Sequence, residues 1–269
     1  MEQELTSFNK LLDLSGKTAI VTGGAKGIGL GIVTRLAQAG ASVLIADLDE
    51  TAAMESSQKL SQQGLKVKSI KTDVSSENDV NEMVKMTIKE FGNLDIMVNN
   101  AGIFPQMPLS KMTKEDFDQV ISINLRSVFL CTEAASKQMI IQGKGGKIIN
   151  ITSIDAIHPS MSGLSHYDAS KHGAWGFTKT SALELARHKI WVNAIAPGGI
   201  ATPGVAAMSE TQPAGIDMKK VMEGFLAQIP MHRMGIPDDI GKVALFLASD
   251  MSSYMTGEQI VVDGGRLLN

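Results

Sequence analysis

The side chains best suited to proton transfer lie in the segment YDASK at residues 167–171, at the start of a helical pattern. Residues four apart share one helix face, so the phenol of Tyr167 and the ammonium of Lys171 point the same way. A cation beside a phenol favours the phenolate and lowers its pKa from ~10. Ser153 follows a short apolar run, and ligands of open α/β sheets gather beyond such strand ends. A surface tyrosine–lysine pair is the alternative interpretation.

A glycine-rich turn, TGGAKGIG at residues 22–29, indicates a second kind of chemistry. Glycines let the backbone approach a pyrophosphate, and the free N–H groups of a helix start attract that anion. A tight strand–helix turn also requires glycine, so the pattern alone leaves both interpretations open. Asp47 ends the next apolar run, at a position where a carboxylate would bind a ribose 2′-hydroxyl. It could also be an acidic residue that stabilises a helix N-terminus.

The charges around Asp47 favour NAD(H) over NADP(H). Asp47 would repel a 2′-phosphate, and the neighbouring Leu48 offers no compensating cation. Lys26, a cation in the glycine turn, could reach a 2′-phosphate and favours the opposite choice. We give the carboxylate more weight because it requires a free 2′ position, and we expect NAD as the cofactor.

Short apolar runs that alternate with helical patterns must position these residues. Runs that are apolar throughout suit strands buried on both faces of a parallel sheet. Alternation with helices predicts a single doubly wound α/β domain with helices on both faces. The strands are expected at residues 18–21, 42–46, 67–70, 96–98, 147–151, 192–196 and 259–262. The helices are expected at residues 30–39, 51–63, 77–91, 114–141, 167–188 and 237–249.

Length and composition limit the domain organisation and the partners. A chain of 269 residues suits one α/β domain, expected over 17–269 after a polar lead-in at 1–16. The uneven segment 198–230 is expected to be a substrate lid. A net charge of −3 and 4% aromatic residues argue against nucleic-acid binding. We expect no membrane span, because no long apolar stretch occurs, and a cytoplasmic location, because Cys131 is the single cysteine.

With these motifs together, the chain resembles a short-chain dehydrogenase/reductase from about residue 16 to residue 265. The resemblance rests on the glycine turn and on motifs that follow it in family order, with the Ser153–Tyr167 spacing one residue longer than is commonest. It implies a Rossmann domain with a seven-stranded parallel sheet, a homotetramer and a small-molecule alcohol or ketone substrate. The matching motifs are TGGAKGIG at 22–29, DV at 73–74, NNAG at 99–102, Asn124, Ser153, YxxxK at 167–171 and PGGIAT at 197–202.

The resemblance also implies residue roles. Tyr167 would be the general acid/base, Lys171 would lower its pKa and hold the nicotinamide ribose, Ser153 would bind the substrate oxygen, and Asn124 would hold a relay water. The residues expected to bind the cofactor are Gly23, Lys26, Gly27, Ile28, Gly29, Asp47, Leu48, Asp73, Val74, Asn100, Ala101, Gly102, Tyr167, Lys171, Pro197, Gly198, Ile200 and Thr202. The residues expected to contact the substrate are Ser153, Asp155, His158, Tyr167, Gly199 and Met208.

The sequence therefore predicts an NAD-dependent dehydrogenase that acts on a secondary alcohol or its ketone. Two alternatives stay open: an NADPH-dependent ketoreductase, such as a 3-oxoacyl carrier-protein reductase, and a non-catalytic dinucleotide-binding sensor. The loops at 154–166 and 201–230 contain no arginine, which favours a neutral substrate, cyclic or a sugar. The five histidines show no spacing suited to a metal, so none is expected.

Overall fold

The computed structural model describes residues 6–205 and 218–269. Its strands are β1 (Thr18–Thr22), β2 (Ser42–Asp47), β3 (Val67–Lys71), β4 (Ile96–Asn99), β5 (Gly146–Ile151), β6 (Ile190–Pro197) and β7 (Gln259–Val262). In the described residues they form one seven-stranded sheet, in the order β3-β2-β1-β4-β5-β6-β7, and all its pairings are parallel. The chain reverses its direction of winding between β1 and β4, so a crevice opens there at the carboxyl ends of the strands.

Helices cover both faces of this sheet. The helices are α1 (Phe8–Leu11), α2 (Gly27–Gln38), α3 (Glu50–Gln62), α4 (Glu77–Phe91), α5 (Lys114–Ile121), α6 (Ser127–Gln142), α7 (Ser165–Leu185), α8 (Met218–Ala227) and α9 (Pro237–Ala248). Short 3-10 turns occur at Ile154–Ala156, Ala186–His188, Asp250–Ser252 and Arg266–Leu268. Among the described helices, none has both the length and the apolar character of a membrane-spanning segment.

Two hydrophobic cores form because successive strand residues point to opposite faces of the sheet. Val21 of β1 packs in one core with Ile32 of α2 and Ile240 of α9. Its neighbour Ile20 packs in the other core with Met83 of α4. All of these side chains are fully buried, and each contributes roughly 1.5–3 kcal/mol of hydrophobic stabilisation. Burial on both faces explains why the strands are apolar throughout, as the sequence predicted.

The helix predicted over residues 114–141 is confirmed in its extent, but a π-helical turn interrupts its α-helical hydrogen bonding. Helix α5 ends at Ile121, a π-helical turn spans Ser122–Arg126, and α6 continues from Ser127. A π-helical turn admits an extra residue and is frequent at functional sites. The hydropathy of this segment does not distinguish a π turn from an α-helix, so the sequence could not indicate it.

Among the described residues of the expected polar lead-in, Leu14 belongs to the core. Leu14 is 2% exposed, and its backbone N–H donates to the carbonyl oxygen of Ala39 at 2.8 Å. The end of the lead-in therefore packs beside the end of α2. Helix α8, which the sequence did not predict, lies within the segment 198–230, whose residues 206–217 fall outside the described chain.

Candidate active site

The polar residues singled out from the sequence meet beyond the carboxyl end of β5. Ser153 follows this strand and opens the 3-10 turn Ile154–Ala156, while Tyr167 and Lys171 lie in the first two turns of α7. The Lys171 Nζ lies 5.5 Å from the centroid of the Tyr167 ring and donates to the carbonyl oxygen of Ile151 at 2.9 Å. Lys171 is 5% exposed, and Ser153 is 6% exposed. The shared helix face predicted from the i, i+4 spacing is present.

Burial dominates the ionisation of this pair. It raises the pKa of Tyr167, and the hydrogen bond with Ser153 offsets only part of the rise, while the carboxylates of Asp155 and Asp168 add to it. Burial lowers the pKa of Lys171 to about 8, with Asp155 acting in the opposite direction. In the protein alone, the expectation that Lys171 lowers the pKa of Tyr167 is therefore outweighed by the loss of solvent around the phenol.

Asn124 occupies the middle of the π turn and is 1% exposed. Its Oδ1 accepts from the backbone N–H of Ile103 at 2.8 Å, and its Nδ2 donates to the carbonyl oxygen of Ile103 at 2.7 Å and to Ser170 Oγ at 3.2 Å. A Cβ placed on Gly102 would lie 3.2 Å from Asn124 Oδ1 and 3.6 Å from Lys171 Nζ. The amide thus ties the segment after β4 to α7, next to Lys171.

Gly23, in the turn between β1 and α2, and Gly29, in the first turn of α2, leave no room for a side chain. Gly23 has φ +61°, and a Cβ on it would lie 3.0 Å from Ala101 Cα. A Cβ on Gly29 would lie 2.1 Å from the carbonyl oxygen of Gly23, so a larger residue does not fit. Asn100, directly after β4, holds this turn, since its Nδ2 donates to the carbonyl oxygens of Thr22 at 2.9 Å and Gly23 at 3.0 Å. The Asn100 side chain, which was expected to support a ribose, therefore forms hydrogen bonds with the glycine turn.

The start of α2 fits an anionic group. The N-cap residue Lys26 makes no side-chain capping bond, and the first N–H groups of a helix, here those from Gly27 to Gly29, have no acceptor within it. A Cβ on Gly27 would lie 3.4 Å from the Cβ of Thr202, which therefore lies across from the turn. A bare backbone with unpaired donors at a helix start is the arrangement that binds a pyrophosphate. The turn of this protein therefore fits the dinucleotide predicted for it.

Asp47 lies at the end of β2, beside the glycine turn. Its Oδ2 accepts from the backbone N–H of Ala25 at 3.0 Å, and its Oδ1 accepts from that of Asp49 at 3.0 Å. Leu48 beside it is 64% exposed. Lys26 forms an ion pair with Asp49 at 2.8 Å, and the hydrogen bond with Asp49 raises the pKa of the lysine. The charge of Lys26 is therefore balanced by Asp49 rather than by Asp47.

The other residues expected at the cofactor lie at the same edge of the sheet. Asp73 follows β3, and its Oδ1 accepts from the N–H and the hydroxyl of Ser75 at 2.9 and 2.7 Å. Val74 is 7% exposed and packs in the core on the α4 face. Pro197 ends β6, and the N–H of the following Gly198 donates to the carbonyl oxygen of Val262 at 3.0 Å.

The segment after β6 returns to the glycine turn. Ile200 is 4% exposed and forms an isolated β-bridge with Gly235. The N–H of Ala201 donates to the carbonyl oxygen of Gly235 at 2.8 Å, and the N–H of Gly235 donates to that of Gly199 at 2.9 Å. These bonds fix the backbone that carries Thr202 opposite Gly27.

The residues expected at the substrate occupy different environments. Asp155 is 6% exposed and bonds to Ser153, whereas His158 is exposed. Gly199 lies under the ring of Phe225, because a Cβ on it would approach Phe225 Cζ to 2.6 Å. Met208 lies outside the described residues.

Two aromatic side chains beside the site were missed from the sequence. Phe104 meets the ring of Tyr167 edge-on, with 6.2 Å between the centroids, and its Cζ lies 3.5 Å from the position of a Cβ on Gly204. Phe225 of α8 covers Gly199. Phe104 directly follows the motif NNAGI in a chain poor in aromatic residues, which is the signal that could have found it.

A seven-stranded parallel sheet with helices on both faces and a glycine turn at its switch point defines the Rossmann class. A sequence profile described as Enoyl-(Acyl carrier protein) reductase matches residues 23–266. The chain is 41% identical to a short chain dehydrogenase/reductase of Aspergillus oryzae, over 97% of this chain and 98% of the relative. It is 40% identical to a 3-oxoacyl-(acyl-carrier-protein) reductase of Thermotoga maritima, over 95% of this chain and 99% of the relative.

Further relatives and a solved structure agree with this assignment. A 3beta-hydroxysteroid dehydrogenase of Eggerthella lenta is 39% identical, over 94% of this chain and 95% of the relative. The crystal structure of a short-chain type dehydrogenase/reductase from Mycobacterium marinum superposes with a TM-score of 0.90 at 36% identity, covering 98% of this chain and all of that one. The chain belongs to the short-chain dehydrogenase/reductase family of oxidoreductases.

Proposed function

We propose that this protein transfers a hydride between NAD(H) and a secondary alcohol or its ketone, with Tyr167 as the general acid/base. The observation that carries the proposal is the meeting of Ser153, Tyr167, Lys171 and the Asn124 amide at the carboxyl edge of the sheet, beside a glycine turn that fits a pyrophosphate. The nicotinamide dinucleotide supplies the hydride chemistry when it is bound. The protein binds, orients and moves the proton.

Proton transfer is the task of the Tyr167 oxygen. In alcohol oxidation the phenolate accepts the proton of the substrate hydroxyl, and in ketone reduction the phenol returns it. Ser153 would bind the substrate oxygen beside Tyr167, and hydrogen bonding by its hydroxyl lowers the pKa of the phenol. Lys171 keeps an ammonium beside the phenol at neutral pH, since its pKa is about 8. Asn124 would hold a relay water towards Lys171, whose Nζ lies next to it across Gly102.

The cofactor is proposed to be NAD(H). The Asp47 carboxylate lies beside the glycine turn, where it would repel a 2′-phosphate, and Leu48 is apolar. Lys26 could bind that phosphate only by exchanging its ion pair with Asp49. The exposed cation of Lys26 in the glycine turn is the observation that favours the second candidate, an NADPH-dependent ketoreductase; one relative is named a 3-oxoacyl-(acyl-carrier-protein) reductase. The ratio of kcat/KM with NAD to that with NADP distinguishes the two.

The substrate is proposed to be a neutral, largely apolar secondary alcohol or ketone. The carboxylates of Asp155 and Asp168 both act on the Tyr167 phenol, so an anionic substrate would meet repulsion there. The ring of Phe104 beside Tyr167 and the ring of Phe225 beside Gly199 offer apolar contacts. The hydroxysteroid dehydrogenase relative acts, by its name, on a substrate of this kind. A screen of hydroxysteroids, sugars and simple secondary alcohols with each cofactor tests the proposal.

The alternative function that an experiment must exclude is a non-catalytic dinucleotide-binding sensor. The decisive experiment compares the wild type with Tyr167→Phe in turnover and in NAD binding. The proposal requires a loss of ~10²-fold or more in turnover with nearly unchanged NAD binding. No turnover with any alcohol or ketone by the wild type, together with tight NAD binding, would favour the sensor.

The proposal also includes the assembly and the domain. We expect residues 17–269 to act as one catalytic domain, with the segment 198–230 as a substrate lid and α8 as its described part.

A homotetramer is proposed because the outer faces of α6 and α7 carry exposed apolar residues such as Phe129 and Leu183, 48% and 81% exposed. A cytoplasmic location follows from the single cysteine. Sedimentation as a monomer at micromolar concentration would reject the tetramer.

A further inference from the structure

The hydroxyl of Ser56 leaves its own helix and reaches the glycine turn. Ser56 lies in α3, and its Oγ donates to the carbonyl oxygen of Ala25 at 2.8 Å, across 31 positions of sequence. A serine inside a helix more often bonds to a carbonyl three or four residues earlier in the same helix. The neighbouring Ser57 does so, since its Oγ donates to the carbonyl oxygen of Met54 at 2.9 Å. The bond made by Ser56 therefore serves the glycine turn rather than α3.

Ala25 is held at both of its backbone polar groups. Its N–H donates to Asp47 Oδ2 at 3.0 Å, and its carbonyl oxygen accepts from Ser56. Ala25 is 1% exposed, so water competes little with these bonds. One bond comes from the end of β2 and the other from α3, and together they fix the backbone of the glycine turn just before α2 begins.

The bond from Ser56 sets the direction of the peptide between Ala25 and Lys26. In a planar trans peptide the N–H points opposite to the carbonyl oxygen, and no cis peptide bond occurs in the part of the chain that the structure describes. Because the Ala25 oxygen is turned towards α3, the Lys26 N–H points away from that helix. Within residues 6–205 and 218–269 this N–H has no hydrogen-bond acceptor, like the N–H groups of the first turn of α2 that follow it.

We propose that Ser56 is a positioning residue for the pyrophosphate of the cofactor. Its hydroxyl holds the Ala25 oxygen, which would otherwise repel a phosphate, and it orients the Lys26 N–H so that this group joins the donors at the start of α2. Without the bond the peptide is free to rotate and to present its oxygen to the anion. The inference rests on the proposed function, because the cofactor is assigned there, and it adds a residue that lies outside the glycine motif.

Calorimetric titration of the intact protein tests the role of Ser56 without a substrate. Ser56→Ala should weaken NAD binding by ~3–10-fold, the effect of one hydrogen bond. ADP-ribose should lose the same factor, because it carries the same pyrophosphate, whereas adenosine, which has no phosphate, should bind equally to both proteins. Wild-type affinity of Ser56→Ala for NAD, or an equal loss for adenosine, would overturn the proposal.

Ser57→Ala is the matched control, since it removes a hydroxyl one residue further along α3. Ser57 is 7% exposed, and its Oγ also lies 3.0 Å from that of Ser69 in β3, so this variant loses bonds within the helix and to the sheet. It should lower the melting temperature at least as much as Ser56→Ala does and leave the Kd for NAD unchanged. A loss of NAD affinity that follows the melting temperature in both variants would show a merely structural role and overturn the proposal.

A conservative replacement separates the hydroxyl from the rest of the side chain. Ser56→Thr keeps the hydroxyl and should bind NAD nearly as tightly as the wild type does. Alanine is a stronger helix former than serine, so Ser56→Ala is expected to fold, and circular dichroism of each variant checks this. Ser56→Cys, whose thiol is a weak donor, is a second way to remove the bond and should bind NAD as Ser56→Ala does. A threonine variant with the affinity of Ser56→Ala would contradict the assigned role.

Steady-state kinetics separate this inference from the proposed function. With an alcohol that the wild type oxidises, Ser56→Ala should raise the KM for NAD and leave kcat at saturating NAD unchanged, because Ser56 acts on the pyrophosphate alone. The ratio of kcat/KM with NAD to that with NADP should stay constant, since both cofactors carry the pyrophosphate. A lower kcat with an unchanged KM would overturn the proposal. If the wild type turns over no alcohol or ketone, the proposed function fails, while the binding titrations still decide the role of Ser56.

Discussion

Replacing Lys171 with methionine is expected to inactivate the protein and, at neutral pH, to stabilise its fold. Lys171 is 5% exposed, and its ammonium has a hydrogen bond to the carbonyl oxygen of Ile151. Burial lowers its pKa from 10.5 to about 8. The folded state therefore binds this proton more weakly than the unfolded chain does, and the charged lysine opposes folding wherever both states are protonated.

The magnitude follows from the two pKa values. A difference of one pH unit corresponds to ~1.4 kcal/mol, so below the folded pKa of about 8 the penalty is about 3.5 kcal/mol. It decreases as pH rises, to roughly 1.5 kcal/mol at about pH 9.5, and vanishes above the unfolded value. Methionine removes the penalty but leaves the Ile151 oxygen without its partner, at a cost of ~1–3 kcal/mol that does not depend on pH. The difference in unfolding free energy between Lys171→Met and the wild type should thus fall by about 2 kcal/mol between pH 7 and about pH 9.5.

The assay is thermal unfolding of the wild type and of Lys171→Met at both pH values and at equal protein concentration. For a domain of this size, 1 kcal/mol corresponds to ~2–4 °C, so the gap between the two melting temperatures should shrink by ~4–8 °C. Lys59→Met, at an exposed position on α3, is the control and should show a nearly constant gap. A constant gap for Lys171→Met would refute the reasoning, since it would mean an ordinary lysine pKa in the folded state. The same variant should lose ~10²-fold or more in turnover and bind NAD more weakly.

The remaining predictions concern proton transfer, the cofactor and the fold. Tyr167→Phe should lower kcat by ~10²–10⁴ with little change in the Kd for NAD, and more than about a tenth of wild-type activity would make His166 the next candidate. Alcohol oxidation by the wild type should become faster as pH rises, because the raised pKa of Tyr167 places phenolate formation at alkaline pH; a flat profile would contradict this. Asp47→Ala should narrow the preference for NAD over NADP in kcat/KM, and an unchanged ratio would show that Asp47 does not select the cofactor. Gly29→Ala should weaken NAD binding and destabilise the fold, as measured by calorimetry and melting, because its Cβ would lie 2.1 Å from a carbonyl oxygen.

The fold was predictable from the sequence because hydropathy reports burial directly. Strands such as β1 are buried on both faces and read as unbroken apolar runs, and their carboxyl ends mark where the site must lie. The π turn at Ser122–Arg126 was not predictable, since an inserted residue changes hydrogen bonding without changing hydropathy. Helix α8 was missed although its own residues are amphipathic, because it lies in a segment with several Gly, Pro and Met residues that was interpreted as an irregular lid.

The site was predictable where it depends on local spacing. The shared face of Tyr167 and Lys171 follows from one helix, and Gly29 is explained by one turn. Contacts between distant segments were not predictable in the same way. Phe104 meets Tyr167 edge-on only because the loop after β4 lies against α7. Lys26 likewise pairs with Asp49 because two loops meet in three dimensions.

The polar and charged side chains of the site whose burial is unfavourable lie around one turn of α7. Among the described residues, both ring nitrogens of His166 and the Asp168 Oδ1 are buried without a hydrogen-bond partner, and these residues flank Tyr167. Lys171, one turn further along, is charged and buried at neutral pH. Unpartnered buried polar groups destabilise a fold by ~1–3 kcal/mol each, so these side chains oppose the stability that packing and backbone hydrogen bonds give this turn of α7. Substitutions that relieve this burial should therefore stabilise the protein and, because the same side chains surround the acid/base, should also slow it.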